Sequence, residues 1–254
     1  MSARSMTQGA LALLLLSLLI GCQPSLPAEN VPERVFFGEQ VSVGNGFAVS
    51  FVKHDGPGQP ASLGIILSKS ALEGLPAGMR EYTLALPGEA ARTPFNHVTL
   101  DWNPQGHGPP QVYDVPHFDV HFYLINGEQR NEIRAENAAA FARAPPASSI
   151  PQSYRQAPGG VPRMGAHWID ANAPELRGEP FTATFIYGSY DREVIFYEPM
   201  VAKAFLEQRR ETTREIPQPE SYPKAGFFYP TMHRVAFDNE AQQHLVVLEG
   251  LRLH

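Results

Sequence analysis

One cysteine, Cys22, occurs in 254 residues. That excludes a disulfide within the chain and a thiol-rich zinc or iron–sulfur site. It also excludes a cysteine nucleophile anywhere beyond residue 22. Charge is sparse: Asp, Glu, Lys and Arg make up 18% of the chain, where about 25% is usual. The 20 basic residues are outnumbered by 26 acidic ones, for a net charge of −6, and form no block. A nucleic-acid partner is therefore not expected. There is no Gly-x-Ser-x-Gly elbow, Walker loop, dinucleotide fingerprint or His-Glu-x-x-His helix, so no nucleotide cofactor is expected either. What is plentiful is apolar content, at 43%, together with 21 glycines and 24 prolines. A chain of this size buries a sizeable core and carries many turns.

The N-terminus reads MSARSMTQGALALLLLSLLIGCQPS. Arg4 supplies a positive start, and the apolar run Ala10–Ile20 is too short to cross a hydrocarbon core of about 30 Å. This is the pattern of a secretory leader. It ends in Leu19-Ile20-Gly21-Cys22, which resembles the bacterial lipobox, where cleavage precedes a lipid-modified cysteine. The expectation is a leader over 1–21, lipidation at Cys22 and a membrane partner through that anchor. Gln23, in place of the Asp that favours inner-membrane retention, points to the outer membrane facing the periplasm for a Gram-negative source. Residues 22–34, rich in proline and poor in apolar side chains, read as a tether. Residues 35–254 read as a single β-rich domain.

Strand signals dominate that domain. Val35–Val43 and Phe47–Lys53 flank the turn Gly44-Asn45-Gly46. Ala61–Leu67, Glu81–Leu86, Phe95–Trp102, His117–Ile125 and Met164–Ile169 come next. Phe181–Tyr187 with Glu193–Glu198, and Met232–Phe237 with His244–Leu251, read as hairpins. Helices are expected after the N-cap Ser68, over Glu128–Arg143, and over Met200–Arg210 with Pro199 at the first helical position. Ala144–Pro162 is the one soft break, a proline-rich surface segment. The fold class is α+β: mostly antiparallel β-sheet built from hairpins, with a few short helices packed on it.

The segment Pro116–Tyr123, PHFDVHFY, carries the chemistry. By alternation Phe118, Val120, Phe122 and Leu124 share one face, and His117, Asp119, His121 and Tyr123 share the other. Imidazole and carboxylate without thiols suit one divalent transition metal: Zn, Fe, Mn or Ni. Same-face neighbours lie about 6.6 Å apart and His117 to His121 about 13 Å, so Asp119 with one histidine is the expected ligand pair. His167 in GAHWID and Glu198 in VIFYE are the further candidates. His97, Asp101, His107 and Tyr123 are candidates for the rim or for supporting the ligands. Three readings stay open: a metal site, a satisfied polar network without metal, and an acid/base site without metal. Whether the protein is an enzyme, and which small molecule it binds, is not set by these residues.

Two metalloenzyme patterns resemble parts of this. His117, Asp119 and His167, with Arg177 beyond, are similar to the His-x-Asp…His triad of iron/2-oxoglutarate oxygenases. Pro162, Gly165, His167 and Asn172 loosely resemble the second cupin motif; the first, which needs His-x-His, is missing. A wider resemblance rests on DWNPQGHGPPQVYDVPHFDVHFY, MGAHWID, FTATFIYGSYDREVIFYEPM and PKAGFFYPT. These blocks, over most of 40–250, resemble an uncharacterised bacterial envelope protein family typified by a Thermus protein controlled by an envelope-stress sigma factor. The resemblance implies an exported, β-rich domain able to form a homo-oligomer. It carries no established activity and so no catalytic residues. The competing picture is a non-enzymatic structural or oligomerising lipoprotein.

Overall fold

Alternating apolar and polar residues pair into strands that meander through two sheets. The computed structural model describes residues 33–55 and 58–254. The expected leader, Cys22 and all but the end of the tether lie outside the described residues. Arg34 already belongs to a strand.

The chain begins in the first sheet with β1 (Arg34–Phe37), β2 (Val41–Val43), β3 (Gly46–His54) and β4 (Pro60–Ser68). β1 and β2 both pair with β3, so the first expected strand is present but interrupted. The second sheet comes next: β5 (Arg80–Ala85), β6 (His97–Asn103), β7 (His117–Tyr123), β8 (Tyr154–Gln156), β9 (Ala166–Asp170), β10 (Ala183–Tyr190) and β11 (Glu193–Ala202). Its spatial order is β5-β6-β7-β11-β10-β9-β8, two antiparallel meanders joined where β7 meets β11. The chain then returns to the first sheet with β12 (Thr212–Glu215), β14 (Met232–Asp238) and β15 (Gln243–Glu249), in the order β1-β3-β4-β15-β14-β12. β13 (Phe228–Tyr229) and β16 (Arg252–Leu253) form a small separate ribbon.

One apolar cluster joins the two sheets. Val52, Leu63, Ile65, Val246 and Leu248 come from the first, and Val98, Leu100, Phe118, Val120, Phe122 and Tyr197 from the second. Burial of these faces against each other is the main stabilising force. The fold is sheet-dominated α+β, as the alternation predicts.

Three helical expectations are corrected. Glu128–Arg143 is not one helix but two short ones, α1 (Gly127–Asn131) and α2 (Ala138–Ala142), with a 3-10 turn between them. Asn126 caps α1 through a reciprocal capping box with Gln129. The Asn137 amide donates to the Glu132 carbonyl, a local bond that competes with a continuous helix, and to the Tyr190 hydroxyl of β10 (2.9 Å). Met200–Arg210 is strand as far as Ala202, and only Lys203–Glu207 (α3) is helical. Pro199 sits inside β11, opposite Phe185 of β10. It has no N–H to give β7, and the β7–β11 ladder runs Phe196↔Tyr123, Tyr197↔Phe122 and resumes at Met200↔Asp119. Burial of Met200 and Val201 outweighs that lost bond. Finally, Ser68 ends β4 and accepts from the Phe47 amide, and the chain beyond it makes only a 3-10 turn, Lys69–Leu72.

Candidate metal centre

The outward face of the second sheet is polar along its middle strands. Register places His97, Thr99, Asp101 and Asn103 of β6 opposite Tyr123, His121, Asp119 and His117 of β7. All seven residues of β7 are buried. An alternating strand ordinarily leaves its polar face to solvent, but here a second layer covers that face. Its parts are the connections between strands. Ile133 and Phe141, from the β7–β8 connection, pack on Tyr123 and Phe196. Tyr113, from the β6–β7 loop, and Phe181, before β10, pack against His107 and His117.

Beneath that layer the candidate ligands fall into two triads: His107, His117 and Asp119, and His121, His167 and Glu198. In each triad the ligand atoms all lie within 4.8 Å of one another. In the first, His117 Nε2 is 3.1 Å from Asp119 Oδ1, and His107 Nε2 is 3.3 Å from Asp119 Oδ2. In the second, His121 Nε2 is 3.5 Å from Glu198 Oε1, and His167 Nε2 is 3.8 Å from Glu198 Oε2. Two ligand atoms about 2.0–2.1 Å from a tetrahedral zinc ion stand about 3.3–3.4 Å apart, so these separations fit edges of a metal polyhedron.

The hydrogen bonds around the triads set which nitrogen faces inward. His117 Nδ1 meets the Val115 carbonyl at 2.7 Å, and His107 Nδ1 meets the Gly108 carbonyl at 2.9 Å. A carbonyl only accepts, so each Nδ1 carries a proton; His117 Nε2 is left without a partner, while His107 Nε2 meets the Asp119 carboxylate. His121 Nδ1 donates to Asp101 Oδ2 (2.9 Å), which also accepts from the Thr99 hydroxyl (2.8 Å). The Asn103 amide donates to Asp119 Oδ2 (2.7 Å) and fixes that carboxylate. A histidine that spends its far N–H on a carbonyl or carboxylate is the usual support for a metal ligand.

Six buried polar side-chain atoms have no hydrogen-bond partner among the described residues. Four are His117 Nε2, Asp119 Oδ1, His121 Nε2 and Glu198 Oε2, all ligand atoms of the triads. Such atoms are costly in a folded protein unless something else satisfies them. His117 Nε2 and Asp119 Oδ1 are close, yet not aligned for a hydrogen bond. Asp101, Asp119 and Glu198 are all buried, and their ion-pair partners among the described residues are histidines alone.

The field of these carboxylates draws positive charge. Burial opposes a charged His107, but its hydrogen bond to Asp119 and that carboxylate's charge outweigh this and raise it to about 9. His121, desolvated yet pulled by Glu198 and Asp101, is also raised to about 9. Burial works to raise Asp119, but its hydrogen bond to His107 and the neighbouring His117 imidazole hold it well below the usual carboxylate range. Burial pushes Glu198 up despite the attraction of His121. His167 is lowered to about 3, by burial and by repulsion from His121.

The other candidates fall around this centre. Asp101 supports His121 through its Nδ1. Tyr123 lies between the His97 and His121 rings, stacked on both (4.9 and 5.5 Å). Arg130 stands over Tyr123 at 4.6 Å and holds Glu81 through two hydrogen bonds. His97 stays outside both triads and is lowered to about 4, chiefly by burial. His167 joins His121 and Glu198 rather than His117 and Asp119, and Arg177 bonds the Asn172 carbonyl. The oxygenase-like grouping is therefore split between two triads. Thr99 is a supporting residue that the sequence reading misses, although His97–Asn103, HVTLDWN, alternates just as His117–Tyr123 does.

The family described as "TTHB210-like: Hypothetical protein TTHB210" matches residues 55–102. That segment holds β4, β5 and most of β6, including Thr99 and Asp101, but none of the six triad residues. It supports kinship with an uncharacterised domain family. No curated protein and no solved structure matched the chain.

Proposed function

We propose that this chain is a lipid-anchored cell-envelope protein whose domain binds a divalent transition metal, Zn, Fe, Mn or Ni, on the covered face of its second sheet. The observation that carries the metal reading is the convergence of four unpartnered buried atoms, His117 Nε2, Asp119 Oδ1, His121 Nε2 and Glu198 Oε2. Nitrogen and oxygen donors without thiolate suit those metals. Two histidines and one carboxylate per triad leave further coordination positions for water or a small ligand. The anchor reading rests on Leu19-Ile20-Gly21-Cys22.

Metal content decides the first half. Full-length protein, purified in detergent from cells grown with the four metals, is expected to retain near-stoichiometric metal. An Asp119→Ala, His121→Ala double variant is expected to lose it. Folded wild-type protein free of metal overturns the reading. Labelling with a radioactive fatty acid decides the second half: Cys22→Ser is expected to abolish lipid incorporation and leave an uncleaved precursor.

One observation favours a second reading, in which the face is a polar network of a structural, non-enzymatic lipoprotein. His107 and His121 already meet carboxylates at 3.3 and 2.9 Å, so protonated imidazoles would neutralise part of the buried charge. In that case a chelator leaves the thermal midpoint unchanged.

A further inference from the structure

We infer that the covered face holds two divalent transition cations rather than one, and that they exchange at different rates. The outer ion is held by His107, His117 and Asp119, and the inner ion by His121, His167 and Glu198. This rests on the metal-binding reading and extends it to number, position and access.

The number comes from reach. Bonds of about 2.0–2.2 Å let one ion touch only atoms within about 4.4 Å of each other once it is bound, and the histidine–carboxylate contacts of 3.1–3.8 Å inside each trio already meet that limit. The six ligand atoms divide into two trios that each fall within 4.8 Å, and among the described residues no mixed trio does. Alternation on β7 explains the division. Asp119 and His121 point the same way but sit about 6.6 Å apart along the strand, so β7 serves one ion from each. Each trio also has its own supports: Val115, Gly108 and Asn103 for the first, Asp101 for the second. Three buried carboxylates concentrate enough negative charge on this face to hold more than one divalent ion.

The difference in exchange comes from what each trio is mounted on. His117 and Asp119 are strand residues, but His107 comes from the loop that joins β6 to β7, and its side chain is 39% exposed. That loop is shaped by Gly106, whose left-handed backbone passes so close to the Tyr113 carbonyl that a Cβ would stand 2.2 Å from it. Val115 and Phe181, which touch His117, also line a surface depression of about 480 Å³. His107 can therefore swing off without breaking a single strand pair. The inner trio stands on β7, β9 and β11. His121 and Glu198 are buried, His167 is 18% exposed, and the Phe196 ring lies against both histidines (4.7 and 5.2 Å). Freeing the inner ion requires those strands to part, an opening that costs far more than a loop motion.

The test uses full-length protein in detergent, stripped with a chelator and reloaded with Zn²⁺ alone. Bound zinc is counted by elemental analysis, and its release to excess chromophoric chelator is followed in time. Two equivalents are expected, leaving in two phases of about one equivalent each and separated by at least about tenfold in rate. His107→Ala is expected to keep one equivalent and lose the fast phase. His167→Ala is expected to keep one and lose the slow phase. One equivalent leaving wild type in a single phase, or loss of both ions from His107→Ala, overturns the two-ion inference and leaves the metal-binding reading standing. No bound zinc in folded wild type overturns both. If His167→Ala fails to fold by circular dichroism, wild type and His107→Ala decide the question alone.

Discussion

Asp101 and His121 meet diagonally across the β6–β7 pair, carboxylate Oδ2 to imidazole Nδ1 at 2.9 Å, and the same oxygen accepts the Thr99 hydroxyl at 2.8 Å. Asp101 holds no metal itself. It decides which nitrogen of His121 carries the proton and turns Nε2 toward Glu198. Asp101→Ala should therefore weaken the inner site by about 10–100-fold, as loss of such supporting partners usually does. Asn in its place still accepts from Nδ1 through its carbonyl and should cost less. Zinc competition titrations on wild type and both variants check the order; equal affinity in all three refutes the role.

Phe122 supports the same strand from its other side. It is fully buried in the cluster between the sheets, edge-on to Phe95 at 5.7 Å. Truncation to Ala should cost about 3–5 kcal/mol, the usual loss for a buried phenylalanine. Denaturant unfolding of metal-free protein measures it. A loss under about 1 kcal/mol would mean that β7 does not face the core with Phe118, Val120 and Phe122.

His233 gives the fold an acid sensitivity separate from the metal centre. It is buried in the first sheet against Phe185, and burial first, then the Arg214 charge, lowers it to about 4. Unfolded, it titrates near 6.5. The folded value lies below the unfolded one, so the unfolded chain binds the extra proton between these pH values. The stability this group contributes is fully present above pH of about 6.5 and is lost as pH falls toward about 4, on the order of 3 kcal/mol in all. His233→Phe removes the titrating group while keeping an aromatic ring beside Phe185. It should reduce by about one the protons taken up on unfolding across that window. An unchanged pH slope in the variant rules this out.

Much of this was legible in the residues because alternation is local. HVTLDWN and HFDVHFY each show which side chains share a face, and both became central strands with their polar residues aligned. The grouping of ligands was not legible. His107 reaches Asp119 by a loop, and His167 of β9 reaches Glu198 of β11 across β10, contacts set by sheet order rather than by spacing. The covering layer was hidden for the same reason: Ile133 and Phe141 lie in a segment with helical composition, and only the meander topology carries it over the polar face. Pro199 misled because an isolated proline reads as a helix start, while its neighbours Met200 and Val201 are strand residues buried on both sides.

Gly188 offers the most selective perturbation of the inner site. It lies on β10, between His167 of β9 and Phe196 of β11. A Cβ there would stand 2.0 Å from the Phe196 ring, which fills the space a side chain would need. That ring is what packs on His121 and His167. Gly188→Ala must push Phe196 toward the two histidines or force β10 and β11 apart, at a cost of about 1–3 kcal/mol. Either movement changes the His121–His167–Glu198 trio, while neither His107 nor His117 pairs with the Phe196 ring among the described residues. The expected result is a folded protein with a lower midpoint, zinc affinity reduced at the slowly exchanging site and unchanged at the fast one. Reduced affinity at both sites would mean that the two trios move as one unit. Unchanged affinity at both would mean that Phe196 does not position the histidines it touches.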